Sequence, residues 1–351
     1  MERDSIFSSS LRTFFISMAA IAGIVFGFII VGIVFGALKS STDGTPEIVY
    51  KYTPTLLANA NGERVLEKNT SPVILKINID GVIGLESFDR HHIHRQLIES
   101  RERAFKDGRV KGIILAIDSP GGTVVDAEAI YRAIKSYKAK YKVPVYAYVD
   151  GLCASGGMYI ACAADKIYAS NSSLIGSVGV LISPPFFNVS KLLGTIGVDA
   201  LTLYAGKGKD DLDPTRPWKP GEQETLQAIV DYYYMQFVEI VAGNRPRLSK
   251  EQLIQDYGAK VFPASQALEH GYIDVTDASM EQALSDLLHS LGIDDSYYQF
   301  VELKDNDWYT ALFSSKSNLA RGEIKHSVQL PDTLNLTLNN QFLYLYRPGQ
   351  P

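Results

Sequence analysis

The feature that most constrains this chain is an uncharged stretch from Phe14 to Leu38, FFISMAAIAGIVFGFIIVGIVFGAL. It is about long enough to cross the roughly 30 Å hydrocarbon core of a bilayer as one helix. A secretory signal peptide has a shorter apolar core, about 7–15 residues, and ends at an A-x-A-like cleavage site. Ala37-Leu38-Lys39 supplies no such site, so the stretch reads as an uncleaved anchor. Arg3 and Arg12 precede it, while Asp43 and Glu47 come soon after Lys39. The positive-inside rule then favours a cytoplasmic N-terminus and a body on the outer face. Gly23/Gly27 and Gly32/Gly36 are small-xxx-small pairs at which a second such helix can approach closely.

The remainder must fold in water. Residues 39–71 are polar and turn-rich and read as a linker, with globular patterning starting at Pro72. Apolar strands at Val73–Ile79, Gly112–Ile117, Val143–Val149 and Lys166–Ser170 alternate with helical segments. Those segments are Asp89–Asp107, a helix paced by Ala127, Ile130, Ile134 and Tyr137, and Ser155–Ala164. Strands alternating with helices predict an α/β fold with a largely parallel sheet. Longer helices follow at Glu222–Ala242, Ser265–Glu269 and Met280–Leu291, and no internal duplication is visible. The expected division is a cytoplasmic N-terminus (1–13), anchor (14–38), linker (39–71), folded domain (72–290) and C-terminal extension (291–351).

Several function classes drop out. A net charge of −5 offers no basic field for nucleic acid. Cys153 and Cys162 are the only cysteines and sit in an apolar stretch, so they read as packing thiols. There is no P-loop and no G-x-G-x-x-G. His91, His92 and His94 cluster without a completing carboxylate or thiol set and read as a solvated helix face. Neither metal nor cofactor is called for.

Two glycine-rich helix openings carry the chemistry. In Cys153-Ala-Ser155-Gly-Gly157 a serine opens a helix behind a strand, where free backbone amides point outward. The following glycines let a substrate carbonyl reach those amides, which can stabilise an oxyanion. A capping serine followed by Gly-Gly also occurs for stability alone. Ser119-Pro120-Gly121-Gly122 follows a buried strand as a turn into another helix and can form a second amide nest. A serine nucleophile needs a base, yet no histidine occurs between residues 95 and 269. A lysine can serve when burial lowers its pKa from about 10.4. Lys166, Lys191, Lys207 and Lys209 are candidates, and composition does not choose among them.

These residues closely resemble the signal peptide peptidase A family in its short, membrane-anchored form. VKGIILAIDSPGG at 110–122 is similar to the family's strand and glycine turn, and ASGGMYIACAADKIYA at 154–169 to its nucleophile segment. Ile175-Gly-Ser177-Val-Gly179-Val resembles its GS-x-GV segment, and Gly206-Lys-Gly-Lys209-Asp210 its G-x-x-K-D segment. Gly258-Ala-Lys-Val-Phe and Ala267-Leu-Glu-His-Gly271-Tyr-Ile-Asp274 are similar to its late helix-turn segment. The resemblance implies a Clp protease/crotonase-like fold of repeated β-β-α units behind one transmembrane helix. It implies Ser155 as nucleophile, Lys209 rather than Lys207 as general base, and Ser177 as the serine that holds the lysine. It implies an oxyanion hole from amides near Gly121 or Gly122 and at Gly156.

The same resemblance implies a homo-oligomer in the bacterial cell (inner) membrane, in which serine and lysine can come from neighbouring protomers. Its substrates would be apolar peptides, chiefly signal-peptide remnants in the membrane, or misfolded exported proteins. The closing Phe342-Leu-Tyr-Leu-Tyr346 is similar to the family's tail, which can enter active-site grooves as a strand. One departure is that the family's usual Ser-Pro after K-D is replaced by Asp211-Leu-Asp-Pro214. The rival readings are a non-proteolytic membrane scaffold and a crotonase-type acyl-CoA enzyme, the latter disfavoured by the anchor and the joint motif set.

Overall fold

The computed structural model describes residues 6–40, 52–68, 70–85, 88–183, 185–294, 297–305 and 341–345. The chain divides into two units, Met1–Tyr50 and Lys51–Pro351. The first holds one helix, α1 (Ile6–Ser40), which overruns the expected span at both ends. Its window Phe14–Val31 has a mean hydropathy of 2.7 and buries nothing within the protein. It is long and apolar enough to cross a membrane.

The second unit runs β1 (Tyr52–Leu56), β2 (Val73–Ile83), α2 (Arg90–Glu99), β3 (Val110–Thr123), α3 (Val124–Tyr141), β4 (Val145–Ala154) and α4 (Gly156–Ala161). It continues with β5 (Lys166–Ala169), β6 (Leu174–Gly176), β7 (Leu181–Ser183), α5 (Ser190–Thr195) and α6 (Glu224–Asn244). Then come β8 (Val261–Pro263), α7 (Ala264–His270), α8 (Met280–Leu291), β9 (Gln299–Asp305) and β10 (Gln341–Leu345). The sheet order is β1-β9-β2-β3-β4-β6-β8, with β5 on β4 and with β10 bridging β3 and β7. β2, β3 and β4 are parallel to one another, and β9 is parallel to β2. β1, β8 and β10 pair antiparallel.

The continuous apolar runs of the central strands follow from helices on both faces, since alternate residues face opposite layers. Ile113, Leu115 and Ile117 belong to the larger core with Ala127, Ile130 and Ile134 of α3. Ile114 and Ile74 face the other way, against Leu284, Leu287 and Leu288 of α8. Gly112 makes that approach close, for a Cβ there would stand 3.0 Å from a Leu287 methyl. Removing Ile114 to Ala would cost about 2–5 kcal/mol by lost transfer energy and cavity. Thr123 starts α3 by accepting a hydrogen bond from Asp126 N at 3.1 Å, a cap worth about 1 kcal/mol.

Four expectations are corrected. The sheet reaches past both ends of the 72–290 segment: β1 falls in the stretch read as linker and β9 in the stretch read as extension. Ser119–Gly122 is not a turn but the continuation of β3, held straight by β2 on one side and β10 on the other. Asp150–Ala154, read as a loop, continues β4, because the Asp118 carboxylate accepts from Leu152 N at 2.9 Å and carries the strand through Gly151. His92 is not simply solvated: Tyr52 of β1 packs on it edge-on, with hydroxyl and Nδ1 3.1 Å apart. His91 and His94 are exposed as expected.

Candidate active site

Ser155 sits between β4 and α4, and its backbone is at positive φ, with φ 54 and ψ −117. A non-glycine residue there is strained, at a cost of about 1–3 kcal/mol, and such strain clusters at functional sites. The neighbours that enforce it are visible. Ser155 N donates to Gly176 O at 2.9 Å, and Tyr159 N donates to Ser155 O at 2.9 Å. The side chain makes no capping bond to α4. Its Oγ is buried with no hydrogen-bond partner among the described residues, and the residue is 1% exposed. A serine present only to cap the helix would have used that hydroxyl. An orphaned buried hydroxyl costs about 1–3 kcal/mol, so its persistence calls for another purpose.

The glycines close around it. A Cβ on Gly156 would lie 3.1 Å from Tyr344 O, 3.2 Å from Gly121 Cα and 3.2 Å from Gly122 N. A Cβ on Gly121, where φ is +96, would stand 1.9 Å from Tyr344 O and 2.6 Å from Gly156 N. Gly122 is equally hemmed, its Cβ position 1.9 Å from Ile83 O. The structure thus brings the Tyr344 carbonyl of β10 against Gly121 and Gly156, with Gly122 N beside the same Gly156 Cβ position and Ser155 one residue before Gly156. Ser177 lies alongside, buried, at φ 55, and its N–H donates to Lys260 O at 2.7 Å.

Lys209 is elsewhere. It is exposed on the long arm between β7 and α6, as is Lys207, and neither reaches Ser155 Oγ within this chain. The arm is held by polar pins rather than a core. Arg216 donates to the Asp210 carboxylate at 2.9 Å and to Asp210 O at 2.6 Å, and pairs with Glu222 at 2.6 Å. Asp213 accepts from Thr202 and Thr215 hydroxyls, which hold its carboxyl down at about 2. Of these acids, Asp213 lies in the Asp211–Pro214 run that stands where the family's Ser-Pro was expected.

Sequence reasoning missed the aromatic floor of the cleft. Tyr344 stacks on Tyr159 at 5.0 Å and packs on Phe237 at 4.6 Å, and its hydroxyl donates to Tyr233 O at 3.0 Å. Burial pushes the Tyr159 and Tyr344 phenols up. Phe237 has helical apolar spacing and reads as ordinary core, so its only signal was adjacency to Tyr159 in space. Cys153 and Cys162 are buried, unbridged thiols, and desolvation pushes Cys162 up to about 12, which makes it a poor nucleophile. No group of three metal-ligating side chains occurs among the described residues.

A strained, unpartnered serine opens a helix beside a glycine-lined cleft that holds an extended strand, an arrangement that suits a serine-type peptidase on an α/β scaffold. Comparison with known proteins names the family. The model of peptidase family S49 matches residues 137–294, and that of the NfeD1b N-terminal domain matches residues 89–183. A protein of Synechocystis sp. named as a protease is 34% identical over 206 residues, 59% of this chain and 70% of its own. A protein of Enterococcus faecium named as a signal peptide peptidase SppA is 32% identical over 239 residues, 66% of this chain and 67% of its own. The chloroplastic serine protease SPPA of Arabidopsis thaliana is 35% identical over 185 residues, 52% of this chain and 26% of its own. This chain belongs to peptidase family S49, the signal peptide peptidase A family, with the Clp protease/crotonase-like α/β fold expected of it.

Proposed function

We propose that this chain is a membrane-bound endopeptidase with a Ser/Lys dyad, completed when the arm of one copy reaches the cleft of another. The observation that carries the reading is the buried, unpartnered Ser155 Oγ at the start of α4, next to Gly156, which with Gly121 is held against the Tyr344 carbonyl. β10 occupies the cleft as a peptide does, by strand addition to β3 and β7. Apolar and aromatic segments are the substrates such a floor takes, which suits signal-peptide remnants and unfolded exported proteins.

In the mechanism, the neutral amine of Lys209 accepts the Ser155 hydroxyl proton as Oγ attacks the peptide carbonyl carbon. The electron pair displaced onto oxygen is held by the Gly156 amide and one amide of the Gly121–Gly122 pair. Collapse of the tetrahedral species breaks the C–N bond, and the lysine ammonium returns the proton to the departing amine. Water, deprotonated by the same lysine, then releases the acyl group. Ser177 orients the lysine. The arm suits delivery in trans: Phe187, Leu201 and Leu203 are 66%, 83% and 85% exposed, large apolar side chains that a second copy would cover. α1 anchors the chain as a single-pass protein, with Arg3 and Arg12 on the cytoplasmic side and the body outside.

Turnover of apolar fluorogenic peptides by the full chain in detergent, from pH 6 to 10, tests this. The wild type should show one basic limb, and Ser155→Ala and Lys209→Ala should each lose activity by about 10³-fold or more. Mixing the two inactive variants should restore part of the rate, because a mixed assembly contains some intact serine–lysine pairs. Loss with Lys207→Ala instead would move the base, and turnover retained by Ser155→Ala would end the assignment. The exposure of Lys209 in the single chain favours one other reading, a scaffold with an idle site. That reading expects no turnover from a folded, assembled wild type.

A further inference from the structure

One hydroxyl next to the cleft takes no part in the mechanism above. Ser119 is fully buried, and its Oγ donates to Gly81 O at 2.6 Å and accepts from Gly121 N–H at 3.1 Å. Gly81 is the irregular residue where the β2–β3 register slips between Asp80 and Val82, and its φ is +72. Ser119 also pairs with Cys153, two residues before Ser155, and its carbonyl lies 3.0 Å from where a Cβ of Gly157 would stand. One residue therefore joins the β2 irregularity and the glycine pair through its side chain and the start of α4 through its backbone.

We propose that Ser119 is a positioning residue for the oxyanion hole. By engaging the Gly121 N–H, its hydroxyl fixes the rotation of that glycine at φ +96 and leaves the donation to developing negative charge to Gly122 N. Gly122 N lies 3.2 Å from the Cβ position of Gly156, the other donor's residue. Without the hydroxyl, Gly81 O and Gly121 N–H lose a partner in a buried place. The cheapest relief is a turn of the Gly121–Gly122 peptide, which misaims the donor. β2 and β10 pair this stretch from both sides, so the turn is a small tilt of the peptide, which the Ser119 bond sets. This role rests on the peptidase reading.

The experiment compares wild type, Ser119→Ala and Ser119→Cys as full chains in detergent. It reads kcat and KM on an apolar peptide, the inhibition constant of a matching peptide aldehyde, and Tm. The aldehyde forms a hemiacetal oxyanion with the serine, so its affinity reports the hole itself. Ser119→Ala should lower kcat about 10- to 100-fold, below the loss of a whole donor, with KM within about twofold. Its aldehyde inhibition constant should rise by the same factor, and its pH profile should keep the wild-type midpoint. Ser119→Cys keeps the volume and a weak donor and should fall between. Ser119→Ala with lowered Tm but unchanged kcat and aldehyde affinity would overturn the role, leaving a purely structural link. If Ser119→Ala does not fold, wild-type aldehyde affinity in Ser119→Cys overturns it instead. A folded wild type without turnover would overturn the peptidase reading and this role together, which separates the two failures.

Discussion

The glycine cleft and the lysine arm are built on opposite principles. Around Ser155, every neighbouring residue from Cys153 to Ala163 is buried, and the backbone approaches itself so closely that a single Cβ is excluded. From Phe186 to Trp218 the chain turns large apolar side chains outward and keeps its shape through Arg216, Asp210, Asp213 and Glu222. The first region holds its geometry alone. The second is ordered but unfinished, an internal skeleton of polar bonds carrying an exterior that suits another surface. The proposed lysine base would benefit from this division, since its amine would leave water only when a partner covers it.

The comparison is broken most sharply by adding one carbon to each region. Gly121→Ala should abolish turnover, by about 10³-fold or more, because the new Cβ falls on Tyr344 O and Gly156 N at a positive φ. Gly206→Ala, at φ +101 but with nothing within 4 Å, should cost about 1 kcal/mol of local strain and change the rate only a few-fold. Steady-state rates and thermal melts of both variants check the pair. Next in size, Arg216→Ala removes the pin between Asp210 and Glu222. It should lower kcat up to about 100-fold through misplacement of Lys209, while the main melting transition moves little.

The outward apolar face is sharpened by Leu201→Asp with Leu203→Asp. Sedimentation should shift toward monomer, each lost side chain costing the assembly about 2 kcal/mol, with circular dichroism unchanged. The smallest effect is confined to acid. The Asp213 carboxyl is held at about 2, below its ordinary 3.8, by the Thr202 and Thr215 hydroxyls. A depressed acid stabilises the fold above the unfolded value and loses that contribution as pH falls toward 2. Hydrogen exchange should therefore find the arm intact at pH 4 and loosening below about pH 3, and Thr202→Val should move that loosening upward.

Much of the cleft was readable in advance because its chemistry needs glycine and serine at set spacings. The β3, α3, β4 and α4 segments also declare themselves by runs that two covered faces demand. β1 did not. Tyr52–Leu56 contains Pro54 and lacks clear alternation, and it is a strand only because β9 offers an edge. The continuation of β4 through Asp150-Gly151 was hidden because that dipeptide ordinarily marks a turn, and the Asp118 carboxylate that overrides it lies on another strand. The choice among lysines stayed closed for a deeper reason. Under the proposed delivery in trans, the base is defined by a second molecule and leaves little trace of its surroundings in the order of its own residues.

The place of β9, between β1 and β2, has a consequence for how such a chain comes into being. A ribosome delivers Val73–Ile83 more than two hundred residues before Gln299–Asp305, so one edge of β2 waits unpaired while the intervening polymer is made. Contacts of such wide sequence separation form slowly, and an open strand edge invites the wrong partner in the meantime. Nascent chains stalled before Gln299 would present that edge, which makes the delivery of Gln299–Asp305 itself the step that seals the sheet.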